Sequence, residues 1–218
     1  MKKVNTHLRE VLPIRWNKKT LSSAKWGEKF LPDGRIQYWI EHDLIRGVTP
    51  KMLVWWFSHL EGDMEFQGKL FNRYLVWHPE DHVHNSYAKR LPDGTVGPGA
   101  TIRLVEYLNR NPKYKINVET DIEKLDEEGF IHNPRLEGIL PMARMEYKFK
   151  QVGGDTFYEN SLIIGWRNWS WKIFRPFIRF FLFPTARGIA WIQHNIEEVG
   201  QFEAFLPELY AKETKRGN

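Results

Sequence analysis

Two short stretches of the sequence concentrate groups that could grip a cation. "YLVWHPEDHVHN", residues 74–85, sets His78, His82 and His84 beside Glu80 and Asp81, and "IQHNIEEVGQFEAF" near the C-terminus puts His194 four residues before Glu198. On a helix, residues at i and i+4 project from one face, and a neutral imidazole with a carboxylate can bite one divalent ion there. Trp191, Gln201 and Phe205 share that face. Such pairs are also common as ordinary surface partners, so the pair alone decides nothing. A third stretch adds weight. "TIRLVEYLN" alternates apolar residues, which places Glu106 on the inward side of a strand with Ile102 and Leu104. A lone carboxylate buried there is costly unless it is paired or coordinates a cation. His82 and His84 alternate around Val83 and share a face if that strand extends so far, whereas His78 stands before Pro79 at a bend. Which of the three would join His194 is open at this level. The plain alternative is a polar loop whose histidines cap backbone groups or face solvent.

These groups need elements to position them. Residues 1–30 read as an irregular arm, followed by a Pro32-Asp33-Gly34 turn and an alternating strand. "TPKMLVWWFSHL" predicts a short helix with Thr49 as N-cap, Pro50 in the first turn, and Met52, Trp55, Trp56 and His59 at helical spacing. "KLFNRYLVWHP" predicts a strand. Further strands follow through "TIRLVEYLN", "INVETDIEKLDEEGFIH" and "ILPMARMEYKFKQVGGDTFYENSLIIGW", the last pair joined as a hairpin at Gly153-Gly154-Asp155. From Pro184 to Ala211 the pattern predicts one long helix. The expectation is a single domain over residues 1–218: arm 1–30, sheet with short helices 31–183, helix 184–211. In this α+β arrangement a curved antiparallel sheet is covered by the helix, with a cavity between them.

Composition narrows the function classes. The chain has 218 residues and a formal charge of +5, with 32 basic residues spread along it. No basic stripe points to nucleic acid. Without cysteine there is no disulfide, thiolate ligand or cysteine nucleophile, so a metal must be held by His, carboxylates and water. No run reaches the length of a membrane span, and the N-terminus does not read as a signal peptide. The expectation is a cytoplasmic protein without stable membrane insertion. "WRNWSWKIFRPFIRFFLFP", Trp166 to Pro184, mixes cations with aromatics and reads as a cavity lid or wall rather than a bilayer contact. A homodimer is compatible with the sequence.

The order "YLVWHPEDHVHN", "RLVEYL", "HNIEEVGQFE" resembles the 2,4-diacetylphloroglucinol hydrolase family, which includes phloretin hydrolase. The resemblance implies a helix-grip fold of the START and Bet v 1 type. It also implies a Zn2+-dependent hydrolase cleaving a carbon–carbon bond between an acyl group and a phenolic ring, with an acylphenol-like substrate. Carried over, it makes His82, Glu106, His194 and Glu198 the zinc ligands and places Tyr74 and Asn85 near the substrate, with His78 behind the ligands or structural. The family also has a histidine lining the cavity on a middle strand. In the strand aligned with it, "MARMEYKFK", only Met145, Glu146 and Tyr147 are at hand, so Tyr147 or Glu146 is expected to substitute. Two other readings use the same residues: a non-haem iron oxygenase, or a non-catalytic carrier of aromatic or apolar ligands, to which ten tryptophans suit a cavity.

Overall fold

The computed structural model describes residues 6–136, 140–141, 143–165, 176, 179–180 and 183–215. The expected arm ends at Ser23, because Ala24–Phe30 forms β1 and pairs antiparallel with β2 (Ile36–His42). Helix α1 (Pro50–Ser58) starts as predicted: the Thr49 side chain accepts from the Met52 N–H at 3.4 Å and proline occupies the first turn. Its buried face is Pro50, Leu53, Trp56 and Phe57 rather than the predicted one, since Trp55 and His59 stack on each other at the surface side. A separate hairpin, β3 (Asp63–Phe66) and β4 (Lys69–Asn72), follows.

The strand expected over "KLFNRYLVWHP" is only half present. It ends at Asn72, and α2 (Arg73–Trp77) carries Tyr74 on a helical turn. The Arg73 backbone and guanidinium donate to the carbonyls of Gly62, His59 and Asp63, which anchors the start of α2 from the β3 side. A short apolar run of this kind has no periodicity that separates strand from helix.

The remaining strands are β5 (His82–Lys89), β6 (Thr101–Tyr107), β7 (Lys115–Asp126), β8 (Gly129–Leu136), β9 (Leu140–Pro141), β10 (Ala143–Val152) and β11 (Asp155–Ile164). Among the described residues they form one antiparallel sheet in the order β1-β2-β11-β10-β8-β7-β6-β5, with β9 beside β8. The β10–β11 turn uses Gly153 at φ 63°, a conformation that glycine adopts without strain. Helix α3 (Thr185–Lys215) closes the chain and runs four residues past the predicted end. It crosses β2 at Gly188, where any side chain would overlap the Tyr38 ring.

Beyond that crossing, Ile192 and Ile196 pack with Ile36, Tyr38 and Ile40, and Phe202 and Phe205 pack with Trp56 and Trp77. Each such fully buried side chain contributes about 1.5–3 kcal/mol. The helix is therefore buried on most sides, and its polar residues face specific partners. Most of Trp166–Pro184 lies outside the described residues, and among those described no helix is long and apolar enough to cross a membrane.

Candidate active site

Between α3 and the sheet lies a cavity of about 220 Å³ with mainly apolar walls. Glu106 from β6, Tyr147 from β10, and His194 and Glu198 from α3 line it. His82, at the first position of β5 and opposite Glu106 in the register, is fully buried beside them. Its Nε2 is 3.6 Å from a Glu106 oxygen and 3.4 Å from a Glu198 oxygen. The His194 Nε2 is 3.7 Å from Glu106 and 3.6 Å from Glu198. Two imidazoles and two carboxylates thus converge from three elements.

The ring nitrogens facing away from this cluster determine what the inner ones can do. The His82 Nδ1 lies 2.8 Å from the Tyr74 carbonyl oxygen, which only accepts, so Nδ1 carries the proton and Nε2 presents its lone pair. The His194 Nδ1 donates to Asp81 Oδ2 at 3.0 Å, which turns its Nε2 to the same point. Asp81 is itself held by the backbone N–H groups of Asn109 and Arg110. Burial works against its charge, yet the His194 hydrogen bond and nearby imidazoles hold it down at about 2.

The buried Nε2 of His82 has no hydrogen-bond partner. Burial, reinforced by the charges of His194 and His78, holds this imidazole well below its usual range. Burial pushes the Glu198 carboxyl up to about 8 despite the pull of His194, with Glu106 adding to the rise. Burial lowers His194 too, but its bond to Asp81 and the carboxylates of Glu198 and Glu106 outweigh that and raise it to about 10. The two carboxyls and the His82 lone pair share one point with the His194 Nε2, whose proton supplies the positive charge that a divalent cation would replace. Donors about 2.1 Å from a common tetrahedral ion lie about 3.4 Å apart, close to the observed N···O separations. The donor set therefore fits a divalent metal.

The other histidines of the 74–85 stretch stand apart from the cluster. His78 accepts from the Asp81 N–H at Nδ1 and donates to Glu197 at Nε2, 3.0 Å away, and so has no nitrogen left to offer. The strand bulges between His82 and His84, and His84 is not part of the cluster. Tyr74 stacks on the His82 ring and donates its hydroxyl to Glu106. Burial, then the Glu106 charge, pushes that hydroxyl well above its usual 10. Asn85 is buried with no partner for its amide nitrogen. Glu146 pairs with Arg144 away from the cavity, which removes it as the substitute for a cavity histidine.

A histidine does line the cavity, from a neighbouring strand. His132 on β8, beside Met145 in the register, lines the cavity, and its Nε2 is 3.5 Å from the Tyr147 hydroxyl. Its Nδ1 meets the Thr120 hydroxyl at 2.6 Å, and burial depresses it to about 3, so it is neutral. The signal was local: Phe130, His132 and Pro134 alternate in "GFIHNPRL" and all line the cavity. Arg9, from the arm, left no such signal. Its guanidinium gathers the carbonyls of His78, Pro79 and His82, pinning the loop that carries Asp81 and His82.

Comparison with solved structures bears on the fold. The chain is similar to the crystal structure of Ara h 8.0201, with 13% identity over 79% of this chain and 98% of that one and a TM-score of 0.50. It is also similar to Ms6760 from Mycobacterium smegmatis (12% identity, 85% and 99% covered, TM-score 0.49) and to a START superfamily protein from the same organism (12%, 78% and 99%, 0.41). The large antiparallel sheet gripping a long C-terminal helix is the helix-grip fold. No curated protein matches the sequence. A family model does, over just under half of the chain, the part that holds Tyr74, His82, Asn85 and Glu106 but not α3: residues 15–119 are similar to the DAPG hydrolase PhiG domain.

Proposed function

We propose that the chain is a zinc-dependent hydrolase that cleaves the carbon–carbon bond between an acyl group and a phenolic ring. The observation that carries this reading is the pair of imidazoles, each fixed through Nδ1, whose Nε2 atoms aim at Glu106 and Glu198 on the wall of an apolar cavity. The match to a hydrolase domain supports it and implies a small-molecule substrate. His82, Glu106, His194 and Glu198 would hold the ion, Tyr74 orienting Glu106 and Asp81 orienting His194. Zinc bound there supplies Lewis acidity toward a carbonyl oxygen and toward water.

The remaining chemistry belongs to the cavity residues. The ring lies at the end walled by Phe57, Phe130, His132 and Tyr147; Asn85, buried with an unpaired amide nitrogen, is not among the residues that line it. Neutral His132 can take the proton of a ring hydroxyl, while the Tyr147 hydroxyl, kept protonated by burial, gives one to the ring carbon that bears the acyl group. The His132–Tyr147 contact returns the proton between the two groups. The ring is then in its keto form. Water oxygen bonds to the acyl carbon, the carbon–carbon bond breaks with its electron pair going to the ring, and the displaced proton ends on the ring oxygen. The products are a carboxylic acid and the deacylated phenol, and the apolar walls keep other water from the ring.

The test incubates the zinc-loaded protein and His194→Ala with mono- and diacylphloroglucinols and assays both products, with zinc content measured alongside. Release by the first and not the second, at about one zinc per chain, is the expected result. Binding by both without release would overturn the reading and leave a ligand carrier.

A further inference from the structure

The walls of the cavity change character along the strands. Residues on one face of a strand recur at every second position, so the sheet side can be followed away from the ring end through Tyr147, Met145 and Ala143 on β10, with Phe130, His132 and Pro134 on β8. Ala143 stands opposite Ile164 on β11, and Glu106 of the cluster stands opposite Ile116 on β7. Four residues separate Tyr147 from Ala143, about 13 Å of strand. On the helix side Glu198 and Trp191 are seven residues apart, about 10 Å along the axis. The far end is thus a bay walled by Ile116, Pro134, Ala143, Ile164, Phe183 and Trp191. Most of these pack as one apolar cluster, distinct from the one that holds Phe57, Phe130 and Tyr147.

Polar groups are spent differently along the same path. At the ring end the Tyr147 hydroxyl and the His132 Nε2 are 3.5 Å apart, a contact long enough for a ligand oxygen to replace. Outside the cluster, the other polar side chains among the described lining residues are Thr120, Asn195 and Arg187, and each is turned to protein. Thr120 meets the His132 Nδ1 at 2.6 Å. Asn195 accepts from Asn160 at 2.6 Å and donates to the Trp191 carbonyl at 2.9 Å. Arg187 donates to the Lys115 carbonyl at 2.8 Å and lies over the Phe183 ring. A polar ligand group in the bay would lose its water without gaining a partner, whereas a methylene is stabilised there.

We infer that the acyl arm of the substrate is an unbranched alkyl chain of several carbons, seated in this bay along Trp191 with the ring at the Tyr147 end. The cavity, at about 220 Å³, is smaller than the roughly 300–1,000 Å³ of sites for larger ligands and suits one ring with one chain. Ala143 is the smallest side chain of the bay, and with Ile164 opposite it sets the depth. Each methylene buried before that floor is reached should tighten binding about fourfold. Assignment of the chain to the acyl side rests on the proposed hydrolysis. The apolar bay itself does not.

Phloroglucinols carrying an acetyl, butanoyl, hexanoyl or octanoyl group test this. Binding is measured calorimetrically on the metal-free chain, and release of carboxylic acid is followed on the zinc-loaded chain. From acetyl to hexanoyl, affinity should rise about fourfold per methylene, with kcat/KM rising in step. Ala143→Phe, which fills the bay, should flatten the series, and Ile164→Ala, which deepens it, should move the best chain to a greater length; thermal melts check that both variants fold. Equal binding of all four ligands by the wild type, or a length dependence unchanged in both variants, would overturn the bay. A rise in affinity without a rise in kcat/KM would overturn its assignment to the acyl arm. A length preference with no acid released sinks the hydrolase reading and leaves the bay standing; acid released from all four at equal affinity does the reverse.

Discussion

His78 and His82 are four residues apart, both wholly buried and both depressed by burial, yet they are opposite kinds of histidine. His78 sits on the far side of the cluster in a closed network: Asp81 N–H to Nδ1, Nε2 to Glu197, and Glu197 in turn to Gln193 and Lys18. His82 has one nitrogen satisfied by a backbone carbonyl and the other directed at two carboxylates with nothing between. The contrast teaches how a buried imidazole is read. Saturation at both nitrogens marks a residue that holds the fold, and a single orphaned nitrogen among acidic oxygens marks one that holds something else.

Removing a carboxylate from the open side should give the largest effect. Glu198→Ala should weaken zinc binding by roughly two orders of magnitude or more, since even partners outside the ligand set cost about 10–100-fold. The metal-free protein should lose little stability, because a buried carboxyl pushed up to about 8 is unfavourably placed without a cation. His78→Gln should show the reverse pattern: a lower melting temperature and zinc affinity within about threefold of wild type. Competition with a chromophoric chelator and thermal melts of the metal-free forms measure both, and equal losses in the two variants would erase the distinction.

A histidine remote from the cluster sharpens the baseline. His42 is buried, bonded to Asn160 at 2.9 Å, and depressed to about 4 from 6.5, by burial first. Its folded pKa lies below the unfolded one, so the unfolded state binds the extra proton between those values. Stability should therefore be fully present above pH 6.5 and fall as the pH drops toward 4, with a loss from this group of up to about 3 kcal/mol. Urea titrations across that window should show a shallower fall in a His42→Gln variant, whose amide can still meet Asn160. An unchanged slope would mean that His42 is already charged in the fold.

A smaller effect is expected at the hinge between the two networks. Asp81 touches both, accepting from the His194 Nδ1 and lying 3.7 Å from the His78 Nε2. Asp81→Asn keeps the size but loses the charge that fixes the His194 tautomer, and zinc affinity should drop by about 10-fold with the fold retained. Chelator competition checks it; an unchanged affinity would show that α3 alone orients His194.

Much of the scaffold was legible because it is written in local terms. Thr49 and Pro50 announce α1, Gly153-Gly154 the β10–β11 hairpin, and strict alternation carries β6 with Ile102, Leu104 and Glu106 on one face. The i,i+4 spacing likewise sets His194 and Glu198 on a common face of α3 whatever surrounds them. Where signals of strand and helix coincide, as in "KLFNRYLVWHP", the sequence could not say that Tyr74 rides on a helical turn, nor could it separate the arm from β1. The aligned middle strand hid His132, because the residue that shares the cavity with Tyr147 stands across the β8–β10 pairing rather than on β10 itself.

By itself, then, the sequence determined which groups were available and which neighbours along one element share a face, since those depend only on helical and strand periods. The tertiary structure alone decided which histidine opens to the cluster. That choice depends on a bulge in β5, on a carbonyl offered by α2, and on Asp81 meeting a residue 113 positions away. Periodicity cannot encode such contacts, because they arise only when separate elements pack and each buried polar atom has to find its partner.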